Sequence, residues 1–314
     1  MAYSAEILLD SISLNQDRLT TVQVTLPRIV LAELNTHRVF SRNSASSRAI
    51  PVEKQLSKIL EDPFIPIKWG KNIPGMQEGE DLNDQDISLA KEHWLHQRDI
   101  AVLGAVALSG GLSRFKDEIL KEKIAAIEQT QPVEIEVLSQ PLHKSIVSRL
   151  LEPFMWHTVI ITSTEWNNFF ALRDHSNAQP ELQKAAHLIK QLRDSSVPIA
   201  LSDEEWHMPF IRPEEQEEFS IEVLRKMSVA RCARVSYLTH DGVREPQKDV
   251  ELHDQLRNNG HMSPFEHIAT PITNIERYRS NTSGNFTGWK QYRKMLNFED
   301  DYSKILELES EDAS

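Results

Sequence analysis

Residues Ala5–Ile12, AEILLDSI, and Leu19–Leu26, LTTVQVTL, flank the tripeptide Asn15-Gln16-Asp17. The second segment alternates through Val22, Val24 and Leu26, the period-two pattern of a half-buried strand. The first is mostly apolar, with a break at Asp10. Joined by a turn at Asn15-Gln16-Asp17, they read as a β-hairpin. Pro27 then opens a mostly apolar stretch, Ile29–Leu34, which reads as a short helix aimed at a polar run.

Further along, residues from about Gly70 to Asp86 are polar, carry scattered Gly and Pro, and read as an exposed loop. From there to about Leu192 helical patterning dominates. Thr162 with Glu165 has the form of a capping box. Trp166, Phe169, Phe170 and Arg173 follow at i, i+3, i+4 and i+7, which places Arg173 at the end of a buried aromatic face. A second helix is expected from Pro180, capped by Ser176 or Asn177, with Leu182, Ala185, Ala186, Ile189 and Leu192 on one side. Glu214–Glu218 reads as a solvated helix start. Another helix runs from about Pro246 to a stop at Gly260, and the acidic Asp300–Ser314 end is expected to fray. The fold class is α+β, helix-rich, with a central, mostly antiparallel sheet.

The chain has 314 residues, a formal net charge of −12 and one cysteine, Cys232. An acidic protein is a poor general binder of nucleic acid, whose affinity rests on distributed Lys and Arg. A single cysteine excludes a disulfide within the chain and any multi-Cys zinc site. Neither a basic leader nor a long apolar span is present, so a soluble, cytoplasmic protein is expected.

Four constellations bear chemistry. In Thr36–Arg48, three arginines and four serines occur with no Asp or Glu between Glu33 and Glu53. Guanidinium forks and hydroxyls both donate to phosphate oxygens, so this is a local anion site; a serine-rich surface loop has the same composition. In Arg173–Gln179, a cation ends a buried face beside a polar turn, either free at a cavity wall or paired with a nearby carboxylate. The third joins Arg231-Cys232-Ala233-Arg234-Val235-Ser236 to His261-Met262-Ser263-Pro264-Phe265-Glu266-His267. There His261, Glu266 and His267 lack a zinc spacing, and Cys232 reads as a packed residue. The fourth, Asn285–Leu296, interleaves aromatic and basic residues. It is either a platform for single-stranded nucleic acid or a helix packing Trp289, Tyr292 and Leu296 on the protein body.

Together these segments resemble the flavin-dependent thymidylate synthases. The family motif R-H-R-x-x-S-x-N-E-x-S-x-R is matched at His37, Arg38, Ser41, Asn43, Ser46 and Arg48. The segment from Arg173 to Gln179 is similar to L-R-x-D-S-H-A-Q, and A-R-C-A-R-V-S and H-x-S-P-F-E-H also match. The last two precede R-H-R in the family and follow it here, as in a circular permutation. The resemblance implies one domain over 1–314, with inserts at about 51–140 and 268–314. It also implies a homotetramer with FAD between subunits, NADPH and 5,10-methylenetetrahydrofolate as co-substrates, and conversion of dUMP to dTMP. No metal is expected.

By position in the family motifs, Glu33, Ser46, Ser47, Arg48, Arg149 and Arg173 fall to the nucleotide, with Arg173 and Ser46 as the catalytic pair. His37, Arg38, Val39, Asn43, Asn168, Asn177, Ser236, His261, Ser263 and Glu266 fall to the flavin. Several positions depart from the pattern: Thr36 replaces an Arg, Ser44 a Glu, His175 an Asp, Asn177 a His, and Glu33 an upstream Gln. An ionised carboxylate only accepts hydrogen bonds, so Glu33 suits the amino group of cytosine. Methylation or hydroxymethylation of dCMP or dUMP, as in viruses with modified DNA bases, is therefore the variant reading. A non-catalytic nucleic-acid-binding protein, a metal-dependent hydrolase on His261, Glu266 and His267, and a flavin-binding but inactive relative are the other readings.

Overall fold

The computed structural model describes residues 3–46, 49–131, 135–237, 245–273, 283–296 and 299, without the side chains of 236 and 237. The expected hairpin is present as β1 (Ser4–Ser13) and β2 (Arg18–Pro27), joined through a turn in which Gln16 adopts a positive φ of 68°. A 3-10 turn at Arg28–Val30 and a short helix, α1 (Leu31–Leu34), follow as expected. They lead to β3 (Ser41–Ser44). After a helical layer comes β4 (Trp156–Ser163), and later the short β5 (Ile199–Leu201). The five strands order as β3-β4-β2-β1-β5, antiparallel except for the β1–β5 edge pair. With many helices around it, this is an α+β architecture.

β4 corrects the expectation of unbroken helical patterning before Leu192. Its core, Thr158-Val159-Ile160-Ile161-Thr162, is β-branched throughout, which suits a pleated strand. It lies between β2 and β3 and is covered on both faces, so the usual alternation is lost and the run cannot be told from a buried helix. Thr162 is consequently a strand residue and not a helix cap. The hydroxyl that accepts the Glu165 N–H belongs to Ser163, at 2.9 Å.

Alternation in β2 sorts the two faces of the sheet. Val22, Val24 and Leu26 join Val159 and Ile161 under Trp166, which precedes α6 (Asn167–Arg173), Phe169 and Phe170 of that helix, and Leu182, Ala185, Ala186 and Ile189 of α7 (Pro180–Ser195). The aromatic face read from the sequence is thus the cover of this core. The residue before α7 is Gln179, not Ser176 or Asn177, and its side chain makes no cap. Thr21 and Thr25 point to the other face and pair with Thr162 and Thr158. That face is capped by α9 (Ile221–Ala233), the turn Ser263–His267 and Ile268.

The stretch between β3 and β4 builds its own core. It contains α2 (Val52–Glu61), α3 (Asp84–Leu108), α4 (Glu118–Thr130) and α5 (Lys144–Val147). Leu56, Ile59, Val102, Val106, Leu120 and Ile124 meet Leu151 and Phe154 there. Trp156 ties this layer to the sheet, donating to the Asp62 carbonyl at 3.0 Å. α8 (Pro213–Glu218) precedes α9, and α10 (Pro246–Asn258) ends as expected before Gly260, whose φ is 68°.

Residues 285–296 are not a helix. They form β7 (Trp289–Gln291), paired with β6 (Ala269–Pro271), then a 3-10 turn. Trp289 is fully buried and donates to the Asp17 carbonyl at 3.1 Å. Asp300–Ser314 lies outside the described residues. Among the described residues no helix is long and apolar enough to cross a membrane.

Phe169 is buried among His37, Phe40 and Trp166. Phe169→Ala should therefore cost about 3–5 kcal/mol of unfolding free energy in a urea titration. A loss below about 1 kcal/mol would place the aromatic face outside the core.

Candidate functional site

The site is assembled from the turn between α1 and β3, from the end of α6, and from two segments of the C-terminal half. His37 is buried against the rings of Phe40 and Phe169. Burial, then the positive charges of Arg173 and Arg42, push its pKa down, so the ring is neutral. Its Nε2 accepts from Arg173 Nε at 3.1 Å, which assigns the ring proton to Nδ1. Arg173 Nη1 pairs with the Glu33 carboxylate, and Nη2 approaches Thr36 Oγ1 at 3.4 Å. Thr36 in turn donates to the Glu33 carbonyl at 2.7 Å. Both readings of Arg173 open in the sequence describe this chain, since it is paired with a carboxylate and stands at a cavity wall. Arg173 and Glu33 line a cleft of about 800 Å³ whose walls include Lys68, Gln77, Leu172 and Asn177.

Asn43 gathers three distant segments. From β3, its Nδ2 donates to the Cys232 carbonyl at 2.8 Å and its Oδ1 accepts from Ser263 Oγ at 3.0 Å. These contacts span 189 and 220 residues of sequence. Neighbouring Ser41 Oγ accepts from Gln291 Nε2 at 2.8 Å, and the same amide donates to the Glu266 carbonyl at 3.0 Å. The Arg231–Cys232 end of α9 is fixed by ions. Arg231 engages both Glu215 oxygens at 2.7 and 2.8 Å and Asp249 at 2.9 Å. The Glu214–Glu218 run is the exposed helix start expected from its charges, with partly buried Glu215 turned inward to hold Arg231. Cys232 is buried, and burial pushes its thiol up; its carbonyl, not its sulfur, faces Asn43.

Behind this joint runs a buried chain of hydroxyls and imidazoles. Ser11 Oγ contacts His207 Nδ1 at 2.8 Å, and His207 Nε2 contacts Thr21 Oγ1 at 2.7 Å. Thr21 meets Thr162 at 2.7 Å, and Thr162 meets His267 Nδ1 at 2.7 Å. His267 Nε2 has no partner among the described residues. A bare buried lone pair costs less than a buried N–H without an acceptor. His267 therefore carries its proton on Nδ1 and donates to Thr162. Donation then passes to Thr21, to His207 Nε2, and from His207 Nδ1 to Ser11.

The remaining expected residues are scattered around this frame. Arg38, Val39, His261 and Ser263 are exposed, as are Asn168 on α6 and Asn177, whose N–H bonds His175 Nδ1. Glu266 is engaged by Arg293 at 2.5 Å. With His267 committed to Thr162, the trio His261, Glu266 and His267 does not converge. Among the described residues no cluster of three or more His, Cys, Asp or Glu is arranged for a metal. The buried Phe286 and Trp289 leave the 285–296 segment no aromatic stacking platform of the expected kind.

Ser46 and Arg149 lie elsewhere. Ala45 bonds the Thr158 carbonyl, whereas Ser41 sits opposite Thr162, roughly 13 Å along β4. Ala45 and Ile50 line a second cavity, of about 330 Å³, with Arg28, Trp156 and His157. Arg149 pairs with Glu152 at 2.7 Å, which also takes Arg28. Ser47, Arg48 and the side chain of Ser236 lie outside the described residues. Gln291 and the threonine–histidine chain carry no signal in the sequence.

No protein-family model and no curated protein matches the chain. Among solved structures it is similar to a UMP/dUMP methylase, PolB, from Streptomyces cacaoi, bound with 5-Br dUMP. The identity is 13% over 60% of this chain and 89% of that one, with a TM-score of 0.38.

Burial pushes His157, His207 and His267 each down to about 3. The folded protein therefore excludes protons that an unfolded imidazole, near pKa ~6.5, takes up. The contribution of these rings is full above about pH 6.5 and is lost as pH falls toward about 3, at roughly 1.4 kcal/mol per pH unit for each. Urea titrations at about pH 7 and about pH 5.5 should differ by several kcal/mol. Equal stabilities would place the three rings in water.

Proposed function

We propose that the chain is a flavin-dependent enzyme that transfers a one-carbon unit from methylenetetrahydrofolate to C5 of a pyrimidine deoxynucleotide. Conversion of dUMP to dTMP is the reaction the resemblance implies, and dCMP is the variant that Glu33 introduces. The observation that carries this reading is convergence. Three of the four matched segments meet at Asn43, and the fourth reaches the first through Arg173 and His37.

The residues at this joint fit a flavin. Partly exposed Asn43 and exposed Ser263 keep further donor and acceptor capacity there, and His261, Arg38 and Val39, close to them in sequence, are exposed. FAD, when bound, supplies reducing equivalents that NADPH replenishes. The chain's own work is to bind and orient. Arg173, fixed by Glu33, Thr36 and His37, holds the base, where a rigid donor assists charge developing on the ring. Ser46, Ser47 and Arg48 hold the phosphate, with Arg149 as a further cation.

Ser46 and Arg173 lie toward different ends of β4. One copy's Ser46 segment is thus read as completing the Arg173 cleft of another, in keeping with a homotetramer. The family's order of segments is read as circularly permuted, with 51–140 as an insert that carries its own core. The convergence at Asn43 favours this reading over a nucleic-acid-binding module.

Purified protein supplied with FAD should show a flavin absorption spectrum that shifts on titration with dUMP or dCMP. Arg173→Ala should keep the flavin and weaken the nucleotide response about tenfold or more. Absence of flavin uptake under all conditions would overturn the reading.

A further inference from the structure

The sequence departs from the R-H-R pattern at Thr36 and from the upstream glutamine at Glu33, and both departures land on one guanidinium. Arg173 gives Nη1 to Glu33 and Nη2 to Thr36. Where the pattern would place two arginines and a glutamine, this chain has Arg173, Thr36 and Glu33, so one positive charge is lost and one negative charge is gained. His37 restores none, because burial and Arg173 hold its ring neutral. The base-binding corner is therefore a neutral guanidinium–carboxylate pair and not a cationic pocket.

That pair has a definite hydrogen-bonding face. Glu33 Oε1 is taken by Arg173, while Oε2 has no hydrogen bond among the described residues. The Glu33 side chain is 31% exposed and lines the cleft. A guanidinium has five N–H donors, and the contacts to Glu33, His37 and Thr36 use three of them. The corner thus offers an acceptor-only oxygen next to a remaining N–H donor. At position 4 cytosine carries an amino group that donates, and its N3 accepts. Uracil has a carbonyl oxygen at position 4 and an N–H at N3, so against the same face both contacts are mismatched. A site built to accept from an amino group discriminates strongly against a ligand that lacks it, because buried polar groups are left unpaired.

We propose that Glu33, carried by α1 and aligned by Arg173, makes the cleft selective for an aminopyrimidine, so that a cytosine deoxynucleotide is preferred to a uracil deoxynucleotide. This rests on the nucleotide reading above and names its base.

Isothermal titration calorimetry of the full chain, with FAD present, would measure dCMP and dUMP against wild type, Glu33→Gln and Glu33→Asp. Circular dichroism would confirm that each variant is folded. Wild type should bind dCMP about tenfold or more tighter than dUMP. In Glu33→Gln, whose amide both donates and accepts, the ratio should move toward dUMP by about tenfold. Glu33→Asp should keep the preference for dCMP. If wild type prefers dUMP, or both nucleotides bind with a ratio that Glu33→Gln leaves unchanged, the proposal is overturned and the nucleotide reading stands. If neither nucleotide binds wild type, the nucleotide reading fails and takes the proposal with it.

Discussion

The buried chain from Ser11 through His207, Thr21 and Thr162 to His267 is the constraint on which the rest of the structure depends. It links β1, β2, β4 and the turn Ser263–His267 through four hydrogen bonds in a region closed to water. Any break would leave a buried hydroxyl or ring nitrogen without a partner, at a cost of about 1–3 kcal/mol. It also fixes where the C-terminal half sits. With His267 held against Thr162, Ser263 reaches Asn43, and Glu266 faces Arg293. A polar chain of this kind specifies one arrangement of segments, which the apolar contacts of α9 alone would not do.

A second compensation governs the cleft. Glu33 and Arg173 both sit on the wall of an open cavity, and each would be poorly placed alone. Paired, they hold the ends of α1 and α6 together, and His37 and Thr36 fill the remaining directions of the guanidinium. Thr36 and Glu33, the two departures from the motif that the sequence resembles, therefore act on one guanidinium. Rigid positioning and a quenched field follow from the same contacts.

What was legible in the sequence was local. The β1–β2 hairpin, the helix after Pro27, the aromatic face of α6 and the stop at Gly260 all follow from short-range periodicity or from the special backbone of one residue. β4 was not legible, because a β-branched strand buried on both faces loses its alternation. The spacing of Trp289, Tyr292 and Leu296 matched a helix only by coincidence. The strand there is set by pairing with β6 and by the distant carbonyl of Asp17. Nothing in the spacing of Glu33, His37 and Arg173, or of Asn43, Cys232 and Ser263, reveals that they touch. Their proximity is a product of tertiary packing, and only the resemblance of separate segments to one family gave reason to expect these contacts.

The central claim is that Asn43 joins separated segments into one flavin surface. A double-mutant cycle on FAD affinity, with Asn43→Ala, Ser263→Ala and the pair, tests it most directly. The account predicts that each single change weakens FAD binding and that the double change is little worse than the worse single one. Losses that simply add, or FAD affinity that none of the three changes alters, would contradict it.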